Sequence, residues 1–180
     1  MFEELGAAVI DADKIGHEVI APGRPAWHEL VGVFGKSVLK PDGTIDRKKV
    51  ADIVFTDADA RKRLNAVTHP RIVEEIKLKL ANLAGSGCEI AIVGAALLGE
   101  TDAPAAFDGL IVVYAPPRAQ VSRLMKRDSL SEEEALKRIE AQMPAAEKKK
   151  LADYVIDNSG SIEETRTQVE AIWNQLTRSD

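Results

Sequence analysis

At residues 7–13 the chain reads AAVIDAD, a short apolar run that ends in two acids and leads directly into a helical pattern. Small and β-branched apolar residues in succession favour a strand over a surface helix. In open α/β sheets, ligands bind at the carboxyl ends of the strands. The stretch therefore predicts a strand that delivers two carboxylates to the ligand-binding edge of a sheet.

Composition limits the class of protein. With 180 residues, 45% of them hydrophobic, the chain can bury one substantial core. A net charge of −5 argues against a nucleic-acid or anionic-membrane partner.

The only cysteine, Cys88, excludes an intrachain disulfide and a cysteine-based zinc site. The apolar run at 90–98 is too short to cross a membrane, and Glu3 and Glu4 lie where a signal peptide carries positive charge. We therefore expect a cytoplasmic protein that acts on a small molecule.

Helical signals dominate residues 14–86. Asp46 is suited to cap a helix through Phe55, and His69-Pro70 is expected to end one helix and begin a longer one. Residues 88–93 and 110–114 are apolar runs without polar alternation, as expected for central strands of a parallel sheet, and residues 154–156 form a last short strand.

Helices are predicted over residues 117–127, 132–142, 144–151 and up to residue 176. Ser131 with Glu134, and Ser161 with Glu164, form capping-box patterns at two of their starts. The alternation of strands and helices predicts an α/β fold with a doubly wound parallel sheet, beside which the helical block 14–86 is partly an insertion.

Asp11 and Asp13 are the first candidates for chemistry. Two aspartates at a strand end suit phosphoryl transfer, where a carboxylate orients and deprotonates a hydroxyl or holds magnesium. Either acid is equally suited to cap the helix that follows. The spacing of the two residues leaves both interpretations open.

Three arginines are the second group of candidates. Arg123 and Arg127 share one helix face and Arg138 follows on the next helix, so their guanidiniums could meet a triphosphate. Acidic residues nearby make a solvated, ion-paired helix face the alternative. For His69, both a turn or capping role and a substrate contact are open. No pair of histidines has metal-ligand spacing.

Several segments follow one another in a recognisable order. They are VIDADKIGHEVIAPGRPAW at 9–27, KPDGTIDRKKVADIVF at 40–55, THPRI at 68–72, AALL at 95–98, RLMKRDSLSEEEALKRIEAQ at 123–142 and ADYVIDNSG at 152–160. Together, over nearly the whole chain, they resemble the dephospho-coenzyme A kinase family. The resemblance implies transfer of the γ-phosphoryl group of ATP to the ribose 3′-hydroxyl of dephospho-coenzyme A, with Mg²⁺, in the last step of coenzyme A synthesis.

The resemblance also implies an architecture: an α/β, P-loop kinase-like, three-layer fold with a parallel sheet, in which residues 1–180 form one domain. Residues 14–86 resemble the helical part that binds coenzyme A, and residues 117–151 resemble the lid that closes on ATP; we call residues 117–151 the lid segment.

The family's motifs imply roles for individual residues. Asp13, with Asp11 beside it, matches the acids near the acceptor hydroxyl. The further substrate-binding residues implied are His69, Leu97, Leu98 and Glu100. The residues implied to bind ATP are Arg123, Arg127, Arg138 and, near the adenine, Asn158. Where the family commonly has Pro-Leu-Leu and an acid, this chain has AALLGE at 95–100, so Glu100 retains the charge while the pocket floor differs.

The family's first, central strand and its GxxxxGK[ST] phosphate loop have no match in the 180 residues. Because that loop supplies the amides and lysine that cradle the phosphates, we expect the 180-residue form to be poorly active. We further expect Met1 to be an internal methionine of a protein longer by about twenty residues. Two alternatives are a non-catalytic coenzyme A-binding protein and a P-loop kinase for another small acceptor.

Overall fold

A computed structural model describes residues 1–95 and 107–178. In chain order the elements are α1 (Phe2–Leu5), β1 (Ala8–Asp11), α2 (Ala12–Glu18), α3 (Pro25–Phe34), a 3-10 helix (Lys36–Val38), α4 (Arg47–Thr56), α5 (Ala58–Gly85), β2 (Ala91–Gly94), β3 (Ile111–Tyr114), α6 (Pro117–Asp128), α7 (Glu132–Glu140), α8 (Ala145–Lys150), β4 (Tyr154–Asp157) and α9 (Ile162–Leu176).

The chain divides into two compact units. The first unit is residues 7–95, and the second unit is residues 1–6 together with residues 96–180. The block 14–86 lies in the first unit and the lid segment lies in the second.

A parallel pair of strands organises the first unit. β1 runs beside β2 in a register that pairs Ala8 with Ala91 and Asp11 with Gly94. The amide of Ala8 also donates to the carbonyl of Ile90, at 3.0 Å, which extends the pairing at the amino end of β1. The predicted strand therefore forms, and it ends at the first acid of AAVIDAD.

Two hydrophobic clusters form the core of the first unit. One joins the strand pair to α2 and α5 and contains the buried Ile10, Ile15 and Ile76. The other lies among α3, the 3-10 helix and α4 around Leu30, which is 0% exposed. Because α5 contributes side chains to both clusters, this one long helix ties the two halves of the core together.

The predicted helix break at His69-Pro70 is wrong, since α5 runs continuously with Pro70 inside it. An internal proline removes one helix hydrogen bond and costs about 3 kcal/mol. Both halves of α5 are held in place by packing, through Leu64 and Val67 before the proline and Ile72 and Ile76 after it. Burial on either side of Pro70 therefore outweighs the local preference to break the helix.

Residues 41–43 form a turn. Gly43 has φ +80°, a conformation that glycine adopts without strain. The indole Nε1 of Trp27 donates to the carbonyl of Gly43 at 2.9 Å, and Asp42 accepts from the backbone and hydroxyl of Thr44. The Thr44 hydroxyl holds the pKa of Asp42 below its ordinary value. Trp27 thus anchors this turn to the second cluster.

The second unit is built on another parallel pair. β3 runs beside β4, pairing Ile111 with Tyr154 and Tyr114 with Asp157. Its buried cluster combines Ile156 with side chains of α9 and of the first residues of the chain. Glu4 accepts from Arg166 of α9 at 2.6 Å. Gly6, at φ +111°, closes α1 in a left-handed conformation.

Most capping and pairing predictions are confirmed, including both capping boxes and the parallel direction of the strands. The expectation that the apolar runs form central strands is not met in the described part, because β2 and β3 each pair with a single strand there. Among the described residues, no helix is long and apolar enough to span a membrane.

Candidate active site

Asp11 closes β1 and begins α2. Its carboxylate Oδ1 accepts the backbone N–H of Lys14 at 3.0 Å, as an N-cap does. Its strand neighbour in β2 is Gly94. Of the two interpretations that the sequence leaves open, the structure assigns helix capping to Asp11.

Asp13 occupies the first turn of α2 and is exposed. Within the part of the chain that the structure describes, its carboxylate has no hydrogen bond or ion pair. The unpaired N–H groups at a helix start favour a negative charge there. Asp13 is therefore a carboxylate without a partner among the described residues, two residues beyond the end of β1.

Of the remaining predicted substrate residues, His69 alone lies in the described part of the chain. His69 lies inside α5, is exposed, and forms no hydrogen bond or ion pair with either aspartate among the described residues. Its neighbour Arg71 instead joins α5 to α3 through Glu29, at 3.0 Å. The junction role of His69 is thus wrong, and its substrate contact stays a prediction. Leu97, Leu98 and Glu100 lie outside the described residues.

The lid segment brings two of the three predicted arginines together. Arg127 Nε and Nη2 donate to the two carboxylate oxygens of Asp128, at 2.8 and 3.1 Å. Arg138 Nη1, from the next helix, donates to Asp128 Oδ2 at 2.9 Å. One carboxylate therefore holds both guanidiniums, and we call Arg127, Asp128 and Arg138 the arginine clamp.

The backbone between α6 and α7 explains how the arginine clamp forms. Ser129 has φ +54°, and it is the only non-glycine residue with positive φ in the described chain. This left-handed residue ends α6, and the capping box of Ser131 starts α7 two residues later. The chain reverses at once, so that Arg138 reaches Asp128, and the Arg127 guanidinium holds the pKa of Asp128 below its ordinary value.

The rest of the lid surface fits the alternative of an ion-paired, solvated helix face. Arg123 is exposed and has no ion pair among the described residues. Lys137 pairs with Glu133 at 2.7 Å, one turn apart on α7, and lies on the solvent side. The predicted cluster of three arginines is therefore a pair joined by a carboxylate, with Arg123 separate from it.

Asn158 follows β4 at its carboxyl end. Its backbone N–H donates to the carbonyl of Tyr114 at 2.7 Å, and its side-chain Oδ1 accepts from the buried hydroxyl of Thr165 at 3.3 Å. This leaves the amide NH₂ of Asn158 as a donor without a partner among the described residues. Lys149 lies 4.9 Å above the ring of Tyr114 in the same region. A polar donor thus stands at the edge of the β3–β4 pair.

A groove of about 850 Å³ lies along α6 and α7. Its apolar lining includes Val121, Met125, Leu130 and Leu136, and it contains none of the predicted site residues. The described residues contain no cluster of three or more histidine, cysteine or acidic side chains that could enclose a metal ion.

Sequence reasoning missed Asp128 and Gln168. Gln168 of α9 accepts the backbone N–H of Asp157 at 2.7 Å and donates to the Asp157 carbonyl at 2.9 Å, which fixes the end of β4. The sequence signal for Asp128 is its position at the last residue of a helix. A negative charge there interacts unfavourably with the helix dipole, and a cationic partner offsets that interaction. The signal for Gln168 is weaker, because it depends on the docking of α9.

Comparison with known proteins identifies relatives of the whole chain. A model of the dephospho-CoA kinase family matches residues 1–164. The dephospho-CoA kinase of Carboxydothermus hydrogenoformans is 46% identical over 169 residues, covering 94% of this chain and 82% of that protein. The dephospho-CoA kinase of Geobacter sulfurreducens is 47% identical over 173 residues, covering 96% and 88%.

Solved structures agree with these relatives. A Thermus thermophilus protein superposes with a TM-score of 0.83 at 31% identity, covering 97% of this chain and 87% of that one. The dephospho-CoA kinase from Campylobacter jejuni superposes with a TM-score of 0.70 at 30% identity, covering 98% and 88%.

Proposed function

Since this chain belongs to the dephospho-CoA kinase family, we propose that it transfers the γ-phosphoryl group of ATP to the ribose 3′-hydroxyl of dephospho-coenzyme A. The products are ADP and coenzyme A. The observation that carries this proposal is the match of the family over residues 1–164. The protein is proposed to act in the cytoplasm, where ATP is regenerated.

Asp13 is the proposed base. Its exposed carboxylate takes the proton of the 3′-hydroxyl as the hydroxyl oxygen forms a bond to the γ-phosphorus and the bond to the ADP oxygen breaks. What supports this role is that Asp13 has no competing partner among the described residues, whereas Asp11 is engaged by the amide of Lys14. Asp11 serves by holding the start of α2, and with it Asp13, at the end of β1.

Arg127 and Arg138 are the proposed partners of the ATP phosphates, with Arg123 as a further cation on α6. Guanidiniums suit this task because their planar donors match phosphate oxygens. The free amide of Asn158 supports a hydrogen bond to an acceptor atom of the adenine ring. His69, Leu97, Leu98 and Glu100 complete the proposed contacts to dephospho-coenzyme A.

Mg²⁺ is part of the proposal, and the donors available fit it. Magnesium at nucleotide sites is commonly bound by substrate phosphates, water and one or two carboxylates, without a dedicated protein cage. Asp13 is an exposed carboxylate of this kind, in a region without a cluster of ligands among the described residues. When bound, the ion would neutralise charge that develops on the phosphate oxygens.

The test is a transfer assay with two forms of the protein. One is the 180-residue chain, and the other, which we call the extended form, carries the leading strand and GxxxxGK[ST] loop of a related kinase ahead of Met1. We expect the extended form to convert dephospho-coenzyme A to coenzyme A, and the 180-residue chain to do so several orders of magnitude more slowly. Coenzyme A itself, already phosphorylated at the 3′ position, is the matched control acceptor and should not react.

Other outcomes identify the alternatives. Transfer by the extended form to another nucleoside, but not to dephospho-coenzyme A, would assign a different acceptor. Calorimetry that detects tight binding of dephospho-coenzyme A to the 180-residue chain, with no transfer by either form, would identify a coenzyme A-binding protein without kinase activity.

A further inference from the structure

We propose that Asp128 is a positioning residue that holds Arg127 and Arg138 in the orientation in which they meet the phosphates of ATP. This inference rests on the proposed function, because it assumes that the two arginines contact those phosphates. It adds a residue that touches neither substrate and acts through the two that do.

The hydrogen bonds of the arginine clamp leave the guanidiniums able to bind a second anion. Arg127 donates from Nε and Nη2 to Asp128, so the N–H groups of its Nη1 take no part in that contact. Arg138 donates to Asp128 from Nη1, so its Nη2 and Nε take no part in that contact. Each guanidinium is therefore fixed along one edge by Asp128 while another edge keeps donors for phosphate oxygens.

The exposure of the three side chains supports a carboxylate at the centre with arginines facing outward. The Asp128 side chain is 25% exposed, whereas those of Arg127 and Arg138 are 73% and 55% exposed. The carboxylate is the most covered member and the guanidiniums face solvent. An incoming polyphosphate would thus meet the arginines before the acid.

Asp128 is also in a position that helix physics alone disfavours. It is the last residue of α6, where backbone carbonyls without partners make a negative charge unfavourable. Ser129, immediately after it, adopts a left-handed conformation that is uncommon outside glycine. These two adjacent features, an acid at the helix end and a left-handed residue after it, are each locally unfavourable. Together they bring the arginines of α6 and α7 onto one carboxylate, as expected for a geometry that serves function.

The charge of Asp128 explains how two cations can be kept side by side. Without it, the guanidiniums would repel each other and their long side chains would sample many rotamers. With it, the arginine clamp carries a net charge of one positive unit and both side chains have a defined direction. An aspartate is ionised at neutral pH, and the hydrogen bond from Arg127 lowers the pKa of Asp128 further.

An ordinary surface ion pair is the competing explanation. Such a pair would affect the stability of the lid segment, and its loss would leave turnover unchanged. A positioning role instead predicts that kcat falls while ground-state affinity for ATP does not, since the freed arginines keep their attraction for phosphate but lose their order. The separation of kcat from KM distinguishes the two explanations.

The experiment substitutes Asp128→Asn in the extended form and measures kcat, the KM for ATP and the thermal midpoint. Ordering two long side chains is worth roughly a tenfold change in rate, so we expect kcat to fall about tenfold with the KM for ATP unchanged or lower. Glu133→Gln is the matched control, because it removes one negative charge and one ion pair from the same lid segment without touching the arginine clamp. It should leave both constants unchanged.

Two further measurements separate the outcomes. Asp128→Glu keeps the charge and should restore part of the lost kcat. In NMR spectra of the 180-residue chain, the Nε–H signals of Arg127 and Arg138 should be resolved. In the Asp128→Asn variant of that chain, these signals should lose their chemical-shift dispersion.

An unchanged kcat in Asp128→Asn, or a fall in kcat equal to that in Glu133→Gln, would overturn the positioning role. Arg138→Ala tests the function on which the inference rests. If Arg138→Ala lowers turnover and Asp128→Asn does not, only the positioning role fails. If Arg138→Ala has no effect, the proposed phosphate contact fails and the positioning role fails with it.

Discussion

The two units of this protein are stabilised in different ways. The first unit contains two buried clusters joined by one long helix, with Leu30 fully enclosed. In the described part of the second unit, the one buried cluster lies at β4 and α9, and the lid helices add little to it. α6 and α7 bury one residue each, Val121 and Ala135, and α8 buries none.

This difference indicates which part of the protein can change conformation at low cost. Elements that bury little apolar surface open with small free energies, while core elements open only on global unfolding. The lid helices are held by caps and ion pairs, which act locally and without a shared core. The lid segment should therefore open more readily than the core elements of the first unit.

The largest expected effect tests whether the chemistry resides in the rigid unit. Asp13→Asn in the extended form should lower kcat by a factor of about 10² to 10⁴, because it removes the proposed base while preserving the shape of the side chain. Affinity for ATP, measured by titration with a fluorescent analogue, should stay nearly unchanged. Asp11→Asn is the matched control, since asparagine also caps helices and α2 should be retained. Turnover like that of the wild type in Asp13→Asn would remove Asp13 from the catalytic role.

The second prediction compares one truncation in both units. Leu30→Ala should destabilise the protein by about 2–5 kcal/mol, because it leaves a cavity in a fully enclosed site. Leu136→Ala, on α7, should cost less than about 1 kcal/mol, since that leucine is already 40% exposed. Urea denaturation of both variants provides the measurement. Equal losses of stability would contradict the difference between the two units.

Much of this architecture follows from local sequence signals. The caps at Asp46, Ser131 and Ser161, the left-handed Gly6 and the strand in AAVIDAD each depend on residues within one turn of each other. Such signals are strong because they satisfy backbone groups that have no other partner.

Features that depend on tertiary packing were not predictable in the same way. Pro70 predicts a break, and only the burial of side chains on both sides of it keeps α5 whole. The sequence does not show whether Asp11 or Asp13 caps α2. Only the hydrogen bond from the amide of Lys14 identifies Asp11 as the cap. The contact of Asp128 with Arg138 joins residues ten positions apart and forms only when α7 folds back, so local sequence signals do not predict it.

The third prediction concerns capping in the weakly packed helix. Ser131→Ala removes the oxygen that accepts the backbone N–H of Glu134 at 3.2 Å and should cost about 1 kcal/mol. Because α7 buries little, the loss should be seen as faster hydrogen exchange confined to α7. Ser161→Ala is the matched control: it removes the same cap from α9, whose Val169 and Ile172 are buried, so exchange there should respond less. Equal acceleration in both helices would contradict the proposed dependence on packing.

The smallest expected effect concerns the ion pair that ties the first residues of the chain to α9. Glu4 accepts from Arg166 at 2.6 Å, and this hydrogen bond lowers the pKa of Glu4 below its ordinary value of 4.5. A carboxyl group whose pKa is lower in the folded state stabilises the fold at pH values above 4.5 and loses that contribution as the pH falls through the folded-state pKa. Glu4→Gln should therefore lower the thermal midpoint slightly near neutral pH, and the difference from wild type should vanish in acid.

Glu3→Gln provides the comparison, since Glu3 lies on the same helix and has no ion pair among the described residues. Its effect should be negligible at every pH. A Glu4→Gln difference that persists below the folded-state pKa would mean that the difference does not come from the charge of Glu4. No difference at any pH would mean that α1 is held by burial of Phe2 and Leu5 alone. The second unit would then resemble the first in how its ends are secured, and only the lid segment would depend on polar contacts.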